Sequence, residues 1–129
     1  MEDIDLIEKA IEAKEMAYAP YSNFKVGAAL LTTSGKIFFG CNIENSSYGA
    51  TICAERVAIV KAVSEGYLKF TKIAIIADTD EIIRPCGICL QFIAEFGIDI
   101  EILMSNKSKI YEKSYLKNLL PKIFYFDKK

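Results

Sequence analysis

The most restrictive feature of the sequence is an unbroken apolar run, residues 73–77 (IAIIA), between two segments of helical pattern. An apolar run without alternation is typical of a strand that is covered on both faces. The flanking segments, 52–65 and 85–96, are each followed by a glycine, Gly66 and Gly97, which is a common helix stop. A buried strand between two such helices predicts an α/β layered domain with helices on both faces of a sheet.

The rest of the chain fits the same pattern. Beyond the segments already named, the predicted elements are a helix at 3–18, a hairpin of strands at 24–32 and 36–43, a loop at 44–51, strands at 100–104 and 109–112, and a short helix at 114–120. The first helix is expected to open with a capping box of Asp5 and Glu8 and to end before Pro20. This order predicts one domain over residues 1–129, a three-layer α/β/α fold with a mixed five-stranded sheet. The strand pairs joined through the helices at 53 and 86 are expected to be parallel.

Composition narrows the classes of partner. The net charge of −1 argues against a protein that grips nucleic acid through its phosphates. No apolar run reaches the roughly 18 residues of a membrane span, and the acidic N-terminal segment has no signal-peptide pattern, so a cytoplasmic protein is expected. The hydrophobic content of 52% is high, which suggests that subunit interfaces cover part of the surface.

The sequence contains no histidine. Ser-His-Asp triads, Cys-His nucleophile pairs and histidine metal ligands are therefore excluded. Any catalysis must use carboxylates, thiolates, lysine, hydroxyl groups or a metal that is held by other ligands.

Three of the four cysteines are predicted at helix starts. Cys53 opens the second long helix, and Cys86 and Cys89, three residues apart, open the third. Helix N-termini stabilise thiolates, and two parallel crossovers would place both N-termini at the same sheet edge. Three thiolates that meet there, with an open fourth position, are the pattern of a catalytic zinc site.

Two charged residues follow the first of these cysteines. Glu55 is two residues after Cys53, so it is expected to border the metal rather than ligate it, and to act as a general base. Arg56 returns to the ligand side of the helix, where its guanidinium can donate a hydrogen bond to the sulfur.

Two other interpretations of the cysteines are open. Cys86 and Cys89 at a helix start also resemble a thioredoxin-type redox pair. Alternatively, Cys41 could close a structural zinc site, although its position within a strand favours a role in the core.

Five segments carry a resemblance to a known family. Residues 51–56 (TICAER) and 85–89 (PCGIC) resemble the C-x-E and P-C-x-x-C signature of zinc nucleoside deaminases. Residues 24–30 (FKVGAAL), 40–48 (GCNIENSSY) and 119–124 (LLPKIF) resemble further segments of the small-subunit cytidine deaminases. The resemblance spans nearly the whole chain in order.

The resemblance implies an activity and a reaction. Cys53, Cys86 and Cys89 would hold one zinc ion per chain together with a water. Glu55 would take a proton from that water, deliver it to N3 of the pyrimidine and later help to protonate the leaving amine. The products of this hydrolysis are uridine or deoxyuridine and ammonia, as in pyrimidine salvage.

The resemblance also implies the substrate contacts. The backbone N–H of Ala54 would meet the base carbonyl, and the carbonyl of Arg84 would meet the amino group. Phe24 would pack on the pyrimidine, while Asn42 and Glu44 would hold the ribose 3′-hydroxyl. Each binding residue has a simpler interpretation: Phe24 as strand core, and Asn42 and Glu44 as residues that shape a loop.

Members of this group are homotetramers whose sites borrow residues from neighbouring subunits, and Tyr48 and Phe124 resemble those borrowed residues. One departure concerns Leu90, where the family usually has arginine. It leaves Arg56 as the cation near the thiolates in sequence, unless position 90 faces the core.

The resemblance leaves other functions to be weighed. A related aminopyrimidine nucleoside of the blasticidin type is an alternative substrate, although the segment at 42–48 looks like a ribose site. A deaminase acting on a polynucleotide is disfavoured by the net charge. A non-hydrolytic zinc or thiol redox protein is the remaining alternative.

Overall fold

A computed structural model describes residues 1–127. Its elements are α1 (Asp3–Lys14), β1 (Val26–Thr32), β2 (Ile37–Cys41), α2 (Ala54–Ser64), β3 (Phe70–Ala77), α3 (Gly87–Ala94), β4 (Glu101–Ser105), β5 (Tyr111–Tyr115) and α4 (Leu116–Leu119), with a 3-10 turn at Tyr48–Ala50. The five strands form one sheet in the order β2-β1-β3-β4-β5. None of the helices within this part of the chain has the length and apolarity that crossing a membrane requires.

The sheet is mixed, as predicted. β1 is antiparallel to both β2 and β3, β3 is parallel to β4, and β5 is antiparallel to β4. The prediction of a parallel pair is therefore confirmed for the strands joined through α3. The strands joined through α2, β2 and β3, also run in the same direction, since both are antiparallel to β1, but β1 lies between them and they are not hydrogen-bonded neighbours. β1 is buried along nearly its whole length and suits an interior position, whereas β2 alternates between buried and exposed residues and suits an edge.

Helices cover both faces of the sheet. On β3, Ile73 and Ile75 point into the larger core, which α2, α3 and α4 cover. Ala74 and Ile76 point into a smaller core beneath α1. The continuous apolar run thus lies in the middle layer of a three-layer α/β/α fold, as the sequence predicted.

Several predicted boundaries are wrong. α1 ends at Lys14, and its N-cap, Glu2, makes no side-chain capping hydrogen bond, so Asp5 and Glu8 form no capping box. β5 continues to Tyr115, because its ladder with β4 holds residues that the sequence assigned to a helix, and α4 is reduced to four residues. The helix stop after α2 is confirmed, since Gly66 has a φ of 94°.

One glycine brings the helix that bears Cys53 close to the sheet. A Cβ atom at Gly40 in β2 would lie 2.2 Å from the carbonyl oxygen of Ala54 and 2.6 Å from the nitrogen of Ala58. Backbone atoms cannot yield at such distances without moving α2. Gly40 therefore fixes how closely α2 approaches the sheet.

We expect Gly40→Ala to destabilise the fold by about 3 kcal/mol, the upper end of the range for overpacking. Urea unfolding should show a lower midpoint. Gly49→Ala is the matched control, since a Cβ there meets nothing within 4 Å. Equal midpoints for the two variants would contradict the close approach.

Candidate functional site

The cysteines predicted at helix starts do lie at helix starts and come together. Cys53 is the N-cap of α2, Cys86 is the N-cap of α3, and Cys89 lies in the first turn of α3. Their three sulfur atoms lie within 4.8 Å of one another. Two helix N-termini therefore converge on one point at the edge of the sheet.

The cluster has the chemistry and spacing of a zinc site. Sulfur ligands about 2.3 Å from a tetrahedral zinc are roughly 3.8 Å apart, so the observed separations need only small adjustments. Cys41 lies at the end of β2, outside the cluster. Within residues 1–127 the cluster therefore offers three sulfur ligands. The presence of Cys53 as the third sulfur argues against a simple Cys86–Cys89 redox pair.

The sulfur atoms interact strongly with one another and with a cation. A hydrogen bond from Cys89 lowers the pKa of Cys53 to about 5, and Arg56 adds to the lowering. The same pairing, with burial, raises the pKa of Cys89. Thiols that are hydrogen-bonded to one another and to a cation in this way favour a thiolate, which is the form that binds a metal ion.

Arg56 reaches the cluster as the sequence predicted. Its Nη2 lies 3.7 Å from the sulfur of Cys53 and 3.4 Å from the carbonyl oxygen of Thr51. Leu90, in contrast, is buried in the larger core. Position 90 therefore faces the core, the alternative that the sequence left open, and the charge of an arginine there would be costly to bury.

Glu55 borders the cluster without joining it. Its side chain is buried, with 5% of the residue exposed, yet it lines a cavity. Burial raises its pKa to about 7. A carboxyl group with this pKa accepts and releases protons readily near neutral pH, as a general acid–base catalyst must.

The cavity has a volume of about 510 Å³, within the range of small-molecule sites. Cys53, Glu55 and Cys86 line it. So do four residues that the resemblance assigned to substrate contacts, namely Phe24, Asn42, Ala54 and Arg84. Phe24 precedes β1 and is 45% exposed, so it is not a strand-core residue.

One wall of the cavity was missed by the sequence analysis. Thr79, Glu81, Ile82 and Ile83 lie between the end of β3 and Cys86, and all four line the cavity. Sites in open α/β sheets form beyond the carboxyl ends of strands, and this position could have suggested the segment.

Asn42 and Glu44 make loop contacts in the structure. The Asn42 amide donates to the carbonyl of Phe24 and accepts from the N–H of Val26, both at 2.8 Å. Glu44 accepts from the N–H of Tyr21 at 2.9 Å, from the N–H of Ser22 at 3.1 Å and from the Ser22 hydroxyl. These contacts agree with the interpretation that Asn42 and Glu44 shape the loop. Their role in binding the ribose stays a prediction.

The two residues expected to serve neighbouring subunits lie outside the cavity of their own chain. Tyr48 is 76% exposed and lines a smaller pocket with Glu44. Phe124 is held through its backbone by Gln91, whose amide donates to its carbonyl at 2.6 Å and accepts from its N–H at 3.1 Å. Its ring is exposed, so neither residue completes the site of the same chain.

Comparisons with known proteins agree with this geometry. Residues 1–105 match the family model described as the cytidine and deoxycytidylate deaminase zinc-binding region. The chain is 51% identical over 123 residues to a probable cytidine deaminase from Dictyostelium discoideum, covering 92% of this chain and 83% of the relative. It is 48% identical to a cytidine deaminase from Sporosarcina psychrophila, covering 92% and 88%. The crystal structure of cytidine deaminase from Burkholderia pseudomallei superposes with a TM-score of 0.93 at 46% identity, covering 96% of this chain and 100% of the other.

The fold and the cysteine cluster thus define a zinc-binding domain of the three-layer α/β/α type. The chain belongs to the cytidine and deoxycytidylate deaminase family, as its motifs predicted. Zinc is accordingly the metal of this domain.

We expect Cys86→Ala to lose zinc, because two sulfur ligands hold the ion far less tightly than three. Atomic absorption should show about one zinc per chain in the natural protein and much less in the variant. Cys41→Ala is the matched control and should keep its zinc. If Cys86→Ala retained the full content, the cluster would not be the zinc site.

Proposed function

We propose that the protein is a zinc-dependent hydrolase that converts cytidine and deoxycytidine to uridine and deoxyuridine, as in pyrimidine salvage. The observation that carries this proposal is the buried Glu55 beside three convergent sulfur atoms, in a cavity of nucleoside size. The relatives named cytidine deaminase favour cytidine over an antibiotic nucleoside of the blasticidin type.

Cys53, Cys86 and Cys89 would hold the zinc. When bound, zinc lowers the pKa of a water and so supplies a nucleophile near neutral pH. Arg56 donates to the sulfur of Cys53, which withdraws electron density from the thiolate and offsets part of the excess negative charge of three thiolates.

Glu55 moves the protons of the reaction. Its carboxylate accepts a proton from the attacking water and donates it to N3 of the pyrimidine. Glu55 then accepts the remaining proton of the hydroxyl group added at C4 and donates it to the amino group, so that ammonia leaves as the C4 carbonyl forms. The raised pKa of Glu55 suits both accepting and donating a proton, because near neutral pH the protonated and ionised forms of the carboxyl group are close in free energy.

The residues around Glu55 would orient the nucleoside. The N–H of Ala54 lies in the first turn of α2, where backbone donors lack acceptors within the helix, and would bind the base carbonyl. The carbonyl of Arg84 would accept from the amino group, and the ring of Phe24 would pack on the base. Asn42 and Glu44 would bind the ribose 3′-hydroxyl as well as shape the loop.

We further propose a homotetramer in which Tyr48 and Phe124 complete the sites of neighbouring subunits. Their exposure in the single chain supports this assignment. Residues 1–129 would form one domain. A cytoplasmic location suits a site that depends on reduced thiols, and no nucleic acid or membrane partner is needed.

We expect Glu55→Gln to fold, keep its zinc and lose cytidine turnover by at least 10²–10⁴-fold, the range for general acid–base catalysis. The loss of cytidine absorbance in the ultraviolet measures turnover. Glu65→Gln, at the exposed end of the same helix, is the control and should be fully active. Near-normal turnover of Glu55→Gln would remove this residue from the mechanism.

We expect Phe124→Ala to raise KM or weaken the tetramer, with the core of each subunit intact. Light scattering and steady-state kinetics on the same samples measure both effects. Leu68→Ala serves as the control, since this exposed apolar residue lies at the opposite end of β3 from the site. A fully active monomer would refute shared sites.

A further inference from the structure

The segment that connects β3 to Cys86 forms a wall of the cavity. We define the wall segment as residues 78–84, which lie in no helix or strand. Five of its seven residues line the cavity: Thr79, Glu81, Ile82, Ile83 and Arg84. The shape of the cavity therefore depends on how this irregular segment is held.

The wall segment has few internal hydrogen bonds to hold it. The N–H of Thr79 donates to the carbonyl of Ala77 at 2.9 Å, and that of Glu81 donates to the Thr79 hydroxyl at 3.4 Å. Arg84 reaches the carbonyl of Ile82 at 3.4 Å and Glu112 at 2.9 Å through an exposed side chain. Exposed ion pairs stabilise weakly, so firmer anchors must come from elsewhere.

Asn106 is the first such anchor. This residue is only 7% exposed, and its side-chain oxygen accepts from the N–H groups of Ser108 and Ile110, both at 3.0 Å. These bonds fix the turn between β4 and β5 and leave the amide nitrogen aimed at the wall segment. There it donates to the carbonyl of Asp80 at 3.0 Å. The backbone N–H of Lys107 donates to the carbonyl of Thr79, also at 3.0 Å.

Lys14 is the second anchor. It lies in the last turn of α1, is 5% exposed, and its ammonium donates to the carboxylate of Asp78. Burial of an ammonium group is costly unless it is paired. The Glu15 carboxylate also lies 3.8 Å from this ammonium, but the hydrogen bond is made to Asp78. It fixes the first residue of the wall segment from the α1 side of the sheet.

Buried polar side chains are concentrated around the cavity. Among residues 1–127 the buried polar or charged residues are Lys14, Thr32, Asn42, Glu55, Ser105 and Asn106. Two of them, Asn42 and Glu55, line the cavity, and two others, Lys14 and Asn106, bond to the wall segment. Such groups are costly to bury and their bonds are specific in direction, which suits the fixing of an irregular wall.

We propose that Asn106 and Lys14 are positioning residues that hold the wall segment against the substrate cavity. Neither touches the substrate; both act through residues 78–80 on the wall. The kinetic consequence of this proposal rests on the proposed function. The wall segment would contact the nucleoside equally in the ground state and in the transition state. Loss of an anchor should therefore weaken binding and leave the chemical step intact.

Asn106→Asp removes the hydrogen bond from Asn106 to the wall segment and keeps its hydrogen bonds within the turn between β4 and β5. A carboxylate oxygen still accepts from Ser108 and Ile110, but the donor to Asp80 is replaced by an oxygen that repels its carbonyl. We expect amide hydrogen exchange in residues 78–84 to rise severalfold, while exchange in residues 106–110 stays unchanged. The KM for cytidine should rise about tenfold, as expected for the loss of one buried hydrogen bond, with kcat and zinc content preserved.

Two further variants complete the test. Lys107→Gln is the matched control, because it removes only an exposed ion pair with Asp80 and keeps the backbone bond to Thr79. It should leave exchange and KM unchanged. Lys14→Met keeps the aliphatic stem and removes the ammonium, so it should loosen the wall segment from the other end and raise KM in the same way.

The outcomes are distinct. Unchanged exchange and KM in Asn106→Asp would overturn its role, and the same result in Lys14→Met would overturn the role of Lys14. If either variant fails to fold, the other decides the proposal, and failure of both would assign these residues to the fold alone. The exchange measurement needs no substrate, so inactivity of the natural protein on cytidine would refute the proposed function without affecting the test of the anchors.

Discussion

The convergence of two helix N-termini is the constraint on which the site depends. It places the sulfur atoms of Cys53, Cys86 and Cys89 within 4.8 Å of one another. The parallel pairing of β3 and β4 determines where α3 begins, and the close contact at Gly40 determines how near α2 lies to the sheet. The site therefore belongs to the architecture of the middle layer and not to any single loop.

The same convergence produces the chemistry. Cys53 is the N-cap of α2, so Glu55 lies in the buried first turn of that helix, where desolvation raises its pKa to about 7. Arg56 follows and returns to the sulfur of Cys53. The residues proposed as metal ligand, proton carrier and hydrogen-bond donor to the sulfur thus lie within four positions of the chain, because one helix begins at this point.

The sequence predicted what depends on local pattern and on short motifs. The apolar run of β3, the helix starts at Cys53 and Cys86 and the position of Glu55 beside the cluster are of this kind. It did not predict the insertion of β1 between β2 and β3, since strand order depends on competition among burial patterns across the sheet. It also missed residues 79–83 and the buried Asn106, because an irregular segment and its anchors show no periodicity.

X-ray absorption at the zinc edge of the natural protein tests the central claim most directly, because it counts the atoms that the two helix N-termini bring to the metal. The account predicts three sulfur ligands at about 2.3 Å and one lighter oxygen or nitrogen ligand at about 2.0 Å. Four sulfur ligands would mean that Cys41 or another chain closes the site, and would contradict an open catalytic position.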